Sequence, residues 1–161
     1  MDFVADQLAD GRKIRTLTIV DLYTRECLGI EVGFGLRAEH VVAAMNRLKY
    51  DRGLPQRITT DNGSEFAGAQ MDLWAYTSHV RMDFSRRGKS TDNAIVESFN
   101  GRFREECLNS HWFESIDDAS QKIDAWRWDY NENRPHLSLE GLTPREFAVR
   151  QALMGVANSQ V

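Results

Sequence analysis

Between residues 13 and 34 the chain carries two β-prone runs on either side of a short polar turn. Leu17-Thr18-Ile19-Val20 is nearly continuous in strand-forming residues. After Asp21-Leu22-Tyr23-Thr24-Arg25 the apolar positions Leu28, Ile30, Val32 and Phe34 alternate strictly. Such a pattern predicts a hairpin, because side chains on a strand point alternately to opposite faces. Residues 2 to 7 add a strand before it. From Ala38 to Tyr50 the period changes: Val41, Ala44, Met45 and Leu48 recur at helical spacing, and Gly53 with Pro55 ends the element. Further on, Arg57-Ile58-Thr59-Thr60 reads as a strand, Met71 to Tyr76 as a helix, and Val80, Met82 and Phe84 as a short fifth strand. Ile95, Phe99, Phe103 and Cys107 step by four along the next helix, with Asp92 or a neighbour as its cap. Ser115 is positioned to cap another helix whose buried face holds Ala119, Ile123, Trp126 and Tyr130. Three strands followed by alternating helices and strands predict a mixed α/β sheet covered by helices on both faces.

At 161 residues the chain has the size of one domain. Its composition, 42% apolar and 27% charged, is that of a globular protein. No run approaches the roughly 20 apolar residues that span a bilayer, and no signal peptide is visible at the start, so a cytoplasmic location is expected. Cys27 and Cys107 are isolated, and His40, His79, His111 and His136 are scattered, which argues against zinc and for two reduced thiols. A net charge of −4 disfavours gripping nucleic acid with the whole surface. Local charge differs: between Arg81 and Arg104 six basic residues face three acids, and Arg86, Arg87 and Lys89 form a loop able to meet phosphates or simply solvent.

Two acids stand out near that segment. Asp61 sits where a short strand runs into Asn62-Gly63, and Glu97, after a gap of 35 residues, sits inside a helix. A third, Asp2, opens the alternating run Asp2-Phe3-Val4-Ala5. Three carboxylates from strand, strand and helix suit a hard divalent cation, which takes oxygen ligands. Taken singly, Asp61 is as readily an Asx turn, and Glu97 and Arg104, two turns apart on one helix face, are as readily solvated charges. Asp21, Asp6 and Glu65 are weaker rivals, Asp21 being better suited to a turn. Trp74, Trp112, Trp126 and Trp128 read as core or interface, and His136 as a hydrogen-bonded structural histidine.

Asp2, the segment from Thr60 to Phe66 and the segment from Asp92 to Asn100 resemble the D-D-E motif of the retroviral integrase superfamily, including the 35-residue gap. The likeness is strongest to OrfB-type transposases of bacterial insertion sequences, in which a basic residue seven positions after the glutamate belongs to the signature. Arg104 stands there. The segments from Tyr130 to His136 and from Leu142 to Phe147 are similar to the part that closes this catalytic core. The resemblance implies a ribonuclease H-like α/β fold with a mixed five-stranded sheet flanked by helices, spanning residues 1–150 with a shortened first strand and a flexible tail at 151–161. It implies a catalytic and metal-binding triad of Asp2, Asp61 and Glu97 with Mg²⁺ or Mn²⁺, used for DNA nicking and strand transfer in transposition. It further implies DNA contacts by Arg104, Lys89, Arg87, Arg86 and Asn62, transposon-end and target DNA as partners, self-association into a homo-oligomer, and a bacterial cytoplasm with nucleoid association. The alternatives are a ribonuclease H-type nuclease that only hydrolyses, and a remnant that folds, self-associates or binds DNA without chemistry.

Overall fold

Strands β1 (Asp2–Gln7), β2 (Lys13–Val20) and β3 (Cys27–Gly33) form an antiparallel meander with β2 in the centre. The computed structural model describes residues 1–85 and 94–155. In the register, Asp2 lies opposite Thr18, and a bulge interrupts the β2–β3 pairing between Ile19 and Val20. The continuous apolar run on β2 has a simple cause: both of its faces are covered. Leu17 and Ile19 enter one core cluster, while Ile14 and Val20 enter the other, beside buried Thr16 and Thr18.

The β2–β3 connection is built on Asp21, whose Oδ1 accepts from the backbone N–H groups of Tyr23 (2.8 Å) and Thr24 (3.1 Å). This Asx-type turn lets Arg25 take a left-handed conformation, φ 62°, before the chain reverses. The turn role expected for Asp21 is the one observed.

Helix α1 (Ala38–Arg52) stops at Gly53, whose φ of 83° suits glycine and ends the helix where the sequence indicated. Strand β4 (Arg57–Thr60), helix α2 (Ala69–Ser78) and strand β5 (Arg81–Phe84) follow, and β4 and β5 pair in parallel through the α2 crossover. One five-stranded sheet was expected; the strands instead form a three-stranded and a two-stranded sheet. The two sheets meet where the Met1 amino group donates to the Thr59 carbonyl at 2.8 Å. That bond sets β1 beside β4 but is not the repeated series that makes a ladder.

Helix α3 (Ala94–Phe103), a π-helical turn (Arg104–Leu108) and helix α4 (Ile116–Asn133) cover the second face of the meander. The buried stripe on α3 begins at Val96 rather than Ile95, then runs through Phe99 and Phe103. In the π turn the Asn109 N–H bonds to the Arg104 carbonyl, five residues back, and the extra residue lets both Cys107 and Leu108 face inward. Phe99, Phe103, Trp126 and Tyr130 pack ring against ring at centroid distances of 5.0–5.6 Å between the two helices. Ser115 caps α4, its hydroxyl accepting from the Asp118 N–H, as expected.

A short 3₁₀ turn (Leu137–Leu139) leads to helix α5 (Pro144–Leu153), started by Pro144 and a reciprocal Thr143–Glu146 capping box. A tail was expected from residue 151, yet α5 continues to Leu153, and buried Gln151 accepts from the Tyr23 hydroxyl at 3.1 Å. Residues 156–161 lie outside the described residues. Among the described residues no helix is long and apolar enough to cross a membrane.

Candidate acidic site

Because alternate residues of a strand share a face, Asp2 points the same way as Val4, toward the cluster formed with α3 and α4. Its carboxylate is held at both oxygens: Oδ1 accepts from the Phe3 N–H (2.8 Å) and Oδ2 from the Asn100 side-chain amide (2.8 Å). Asn100 is oriented in turn by Thr18, the residue opposite Asp2 on β2, whose hydroxyl lies 2.9 Å from Asn100 Oδ1 and 3.2 Å from the Asp2 carbonyl. A chain of polar contacts therefore ties α3 to the start of β1.

Asp61 follows β4 directly, and its Oδ1 accepts from the Gly63 N–H at 2.9 Å. That turn leaves little space, since a Cβ on Gly63 would stand 3.0 Å from the same oxygen. Asn62 ties the loop to the end of β5 by donating to the Ser85 carbonyl at 3.0 Å. With β1 and β4 side by side, the two aspartates lie in each other's field. Burial raises the Asp2 carboxyl above the ordinary range, two hydrogen bonds oppose this, and the negative charge of Asp61 raises it further. The nearby Met1 amino group, fully buried, is pushed down to about 6 by desolvation. Like charges in a partly buried site repel more strongly than in bulk water.

Glu97 is placed differently. It occupies the first turn of α3, exposed, and makes no hydrogen bond or ion pair with a described residue. It precedes Asn100 by three residues, so the two share a side of the helix about 4.5 Å apart along the axis. The structure thus joins Asp2 with Asp61 and brings α3 to Asp2, but the Glu97 side chain does not complete the group. Among the described residues no three acidic, histidine or cysteine side chains form a set that could hold a metal.

The flanking residues divide in the same way. Arg104 opens the π turn and donates to the Ala5 carbonyl of β1 at 2.7 Å. Arg86, Arg87, Lys89 and Asp92 lie outside the described residues. Glu65 pairs with Arg15, which holds its carboxyl below the usual range, and the Arg15 guanidinium stacks 4.1 Å from the Phe3 ring. Asp6 accepts from the Gln7 N–H on its own strand. Trp74 and Trp126 are buried with their indole N–H groups on Asn46 and Glu106, whereas Trp112 and Trp128 are exposed. Both cysteines are buried free thiols, pushed by burial to about 12. His136 departs from expectation: it meets Tyr130 edge-on, and its buried Nε2 finds no hydrogen-bond partner among the described residues.

Sequence reasoning passed over Asn100 and Asn131. Asn100 stands one turn after Glu97, a signal that was available. Asn131 binds the backbone of Cys27 twice, accepting from its N–H (2.8 Å) and donating to its carbonyl (2.9 Å), and so caps the start of β3 from α4. Nothing local in the sequence marks that contact.

Comparison with known proteins finds relatives of this chain by sequence and by fold. Two integrase core domain family models match the chain, over residues 1–90 and 78–144. A protein of insertion element IS407 from Burkholderia multivorans is 46% identical over 93% of this chain and 54% of its own length. A putative transposase of insertion sequence IS150 from Escherichia coli is 24% identical over 89% of this chain and 52% of its own. The chain spans about half the length of these curated relatives. Among solved structures, a simian T-cell lymphotropic virus intasome in complex with a PP2A regulatory subunit matches 91% of this chain and 51% of its own, at TM-score 0.76 and 14% identity. The HTLV-2 integrase catalytic core in complex with magnesium matches 91% of this chain and 94% of its own, at TM-score 0.62 and 18% identity. These likenesses give the fold as the ribonuclease H-like α/β fold of integrase cores. The chain belongs to the integrase core domain family, with relatives in bacterial insertion elements.

Proposed function

We propose that this chain is a catalytic core for DNA nicking and strand transfer in transposition, with Asp2, Asp61 and Glu97 as its acidic triad and Mg²⁺ or Mn²⁺ as its cofactor. The observation that carries the reading is the meeting of β1, β4 and α3, where Asp2 stands in the field of Asp61 and is tied through Asn100 to the helix bearing Glu97. The donor set fits a hard cation in kind: carboxylate oxygens, mutually repelling, with no lysine or arginine paired to Asp2 or Asp61 among the described residues.

Asp2 would be the fixed ligand, since Phe3 and Asn100 hold its orientation. Asp61 would be the second ligand, its carboxylate oriented by the Gly63 N–H on Oδ1. Glu97 would join by a rotamer change from its exposed position on α3, bringing the third carboxylate from the side of the helix that carries Asn100. When bound, divalent cations supply Lewis-acid activation of an attacking water or 3′-hydroxyl and stabilisation of the leaving oxygen. The chain's own part is to gather negative charge at one edge of the sheet and to bind the DNA backbone around it with Arg104, Asn62, Arg86, Arg87 and Lys89. Arg104 would exchange the Ala5 carbonyl for a phosphate. The magnesium-bearing HTLV-2 core and the intasome among the fold neighbours support a metal, DNA and an oligomer as the partners of this reading.

Isothermal titration with Mn²⁺ tests it. The wild-type chain is expected to release heat on binding and Asp61→Asn to abolish that heat; equal heats from both would refute the metal site. A gel assay with labelled end-sequence DNA and Mn²⁺ then distinguishes strand joining, which needs a 3′-hydroxyl nucleophile, from hydrolysis alone.

A further inference from the structure

Helix α3 has a second polar side. Ser98 and Arg102 lie about 100–140° around the helix from Glu97 and face a cavity of about 250 Å³ whose walls include Arg25, Tyr130, His136 and Ser138. Three distant stretches of sequence meet there: the β2–β3 turn, α3, and the segment after α4. None of the described residues lining the cavity is acidic.

The cavity is rich in donors that lack acceptors. Arg25 Nη1 and His136 Nε2 are buried there without a hydrogen-bond partner among the described residues. Arg25 and Arg102 make no ion pair with a described residue, whereas nearby Arg134 is already held by Glu106 and Asp129. Buried polar atoms are nearly always partnered, and leaving one bare costs about 1–3 kcal/mol. Gathering guanidinium groups around an imidazole adds repulsion, and burial together with Arg102, Arg25 and Arg134 holds His136 below its ordinary range. Among the described residues, no carboxylate pairs with Arg25 or Arg102. What completes such a site is an anion with several oxygens spread over its surface. The fit is to a tetrahedral phosphate, with guanidinium forks on two sides and the Ser98 and Ser138 hydroxyls within the wall.

Position suggests where the phosphate comes from. Val20 lines the cavity, two residues along β2 from Thr18, the partner of Asp2. That displacement is about 7 Å along a strand. We infer that the Arg25–Arg102–His136 cavity is a phosphate subsite for the DNA backbone, holding a phosphate near the one presented to the acidic site. The source assigned to the phosphate rests on the DNA reading proposed above; the anion chemistry of the cavity does not. Arg102 and Arg25 are the gripping residues, and His136 is a donor at the base.

The experiment uses the full chain in EDTA, so that cation binding at the acidic site plays no part. The first probe is inorganic phosphate, read by the His136 imidazole resonances in NMR. The second is a short duplex oligonucleotide, read by fluorescence anisotropy across a series of salt concentrations. Phosphate should move the His136 signals and leave His40 and His79 in place. Arg102→Gln, on an exposed helix position where the fold is not at stake, should weaken oligonucleotide binding by several-fold, and Arg25→Gln with Arg102→Gln by roughly tenfold, reducing the salt slope by about 1–2. Circular dichroism and thermal melting establish that the double variant is folded; if it is not, Arg102→Gln and Arg102→Glu carry the test. Unmoved His136 signals would overturn the anion site, and the DNA subsite with it. If phosphate moves the His136 signals but the variants keep the wild-type DNA slope, the cavity takes a free anion and its assignment to the DNA backbone falls. Loss of Mn²⁺ binding in Asp61→Asn is independent of all these results, so failure of the subsite and failure of the metal reading are told apart.

Discussion

Asp21 and Asp2 both stand at strand ends of the same meander, and burial raises both carboxyls, yet their surroundings differ in kind. Asp21, 1% exposed, accepts from two backbone N–H groups of its own turn, with Arg52 offsetting the charge of Glu26 beside it. Asp2 is held by one backbone N–H and by a side chain from a distant helix, and it feels the repulsive charge of Asp61 against the opposing charge of the Met1 amino group, with no lysine or arginine paired to it among the described residues. The first carboxylate is completed by its own local fold. The second is oriented but electrostatically incomplete, which is what separates an aspartate used to build a turn from one placed to take a ligand.

The contrast can be broken most sharply at Asp21. Asp21→Ala strips one buried and one partly buried N–H group of their acceptor and is expected to destabilise the chain by about 2 kcal/mol in urea unfolding while Mn²⁺ affinity in the folded protein stays unchanged. Asp61→Asn without metal removes a repulsive charge from Asp2, so its urea midpoint should equal or exceed that of the wild type. If Asp61→Asn proves the more damaging of the two, the assignment of roles is reversed.

Asn100→Ala probes the link between α3 and β1. Removing the amide leaves Asp2 Oδ2 without its side-chain donor and the Thr18 hydroxyl with the Asp2 carbonyl alone, at a cost of about 1 kcal/mol, and frees the Asp2 carboxylate to rotate. Titration should show Mn²⁺ affinity lower by roughly tenfold, the usual penalty for losing a group that orients a ligand. An unchanged affinity would reduce Asn100 to a packing contact.

The smallest effect is expected at Glu65, a carboxylate beside the acidic pair already neutralised by Arg15. Glu65→Gln should cost less than about 1 kcal/mol by thermal melting, since the pair is partly solvated, and should leave the Mn²⁺ heat intact. A large loss of that heat would place Glu65 in the site in place of Glu97.

Much of the architecture could be read along the chain. The alternation at Leu28, Ile30 and Val32, the helical spacing at Val41, Ala44 and Met45, and the caps at Ser115 and Gly53 all mark elements found in the structure. These signals are local, and local backbone preferences largely decide them. What could not be read depends on contacts between distant residues or on one extra residue in a turn. The π turn shifts the α3 stripe, the two sheets meet at Met1 and Thr59 instead of forming one ladder, and Asn131 reaches back to Cys27 over 104 positions.

The candidate site divides along the same line. Asp2, Asp61 and Glu97 could be named from residue type, spacing and resemblance, because the chemistry of a carboxylate and its place at a strand end or in a helix are sequence properties. Whether carboxylates stand near one another is a matter of packing: the covered faces of β2 bring α3 onto Asp2, while Glu97 stays in solvent. So the sequence determined the elements, the family and the acids available. Tertiary structure alone decided that Asn100 and Thr18 hold Asp2, that Arg104 rests on β1, and that Arg25, Arg102 and His136 share a cavity, since residues so far apart in the chain meet only when the core that separates water from its apolar side chains has closed.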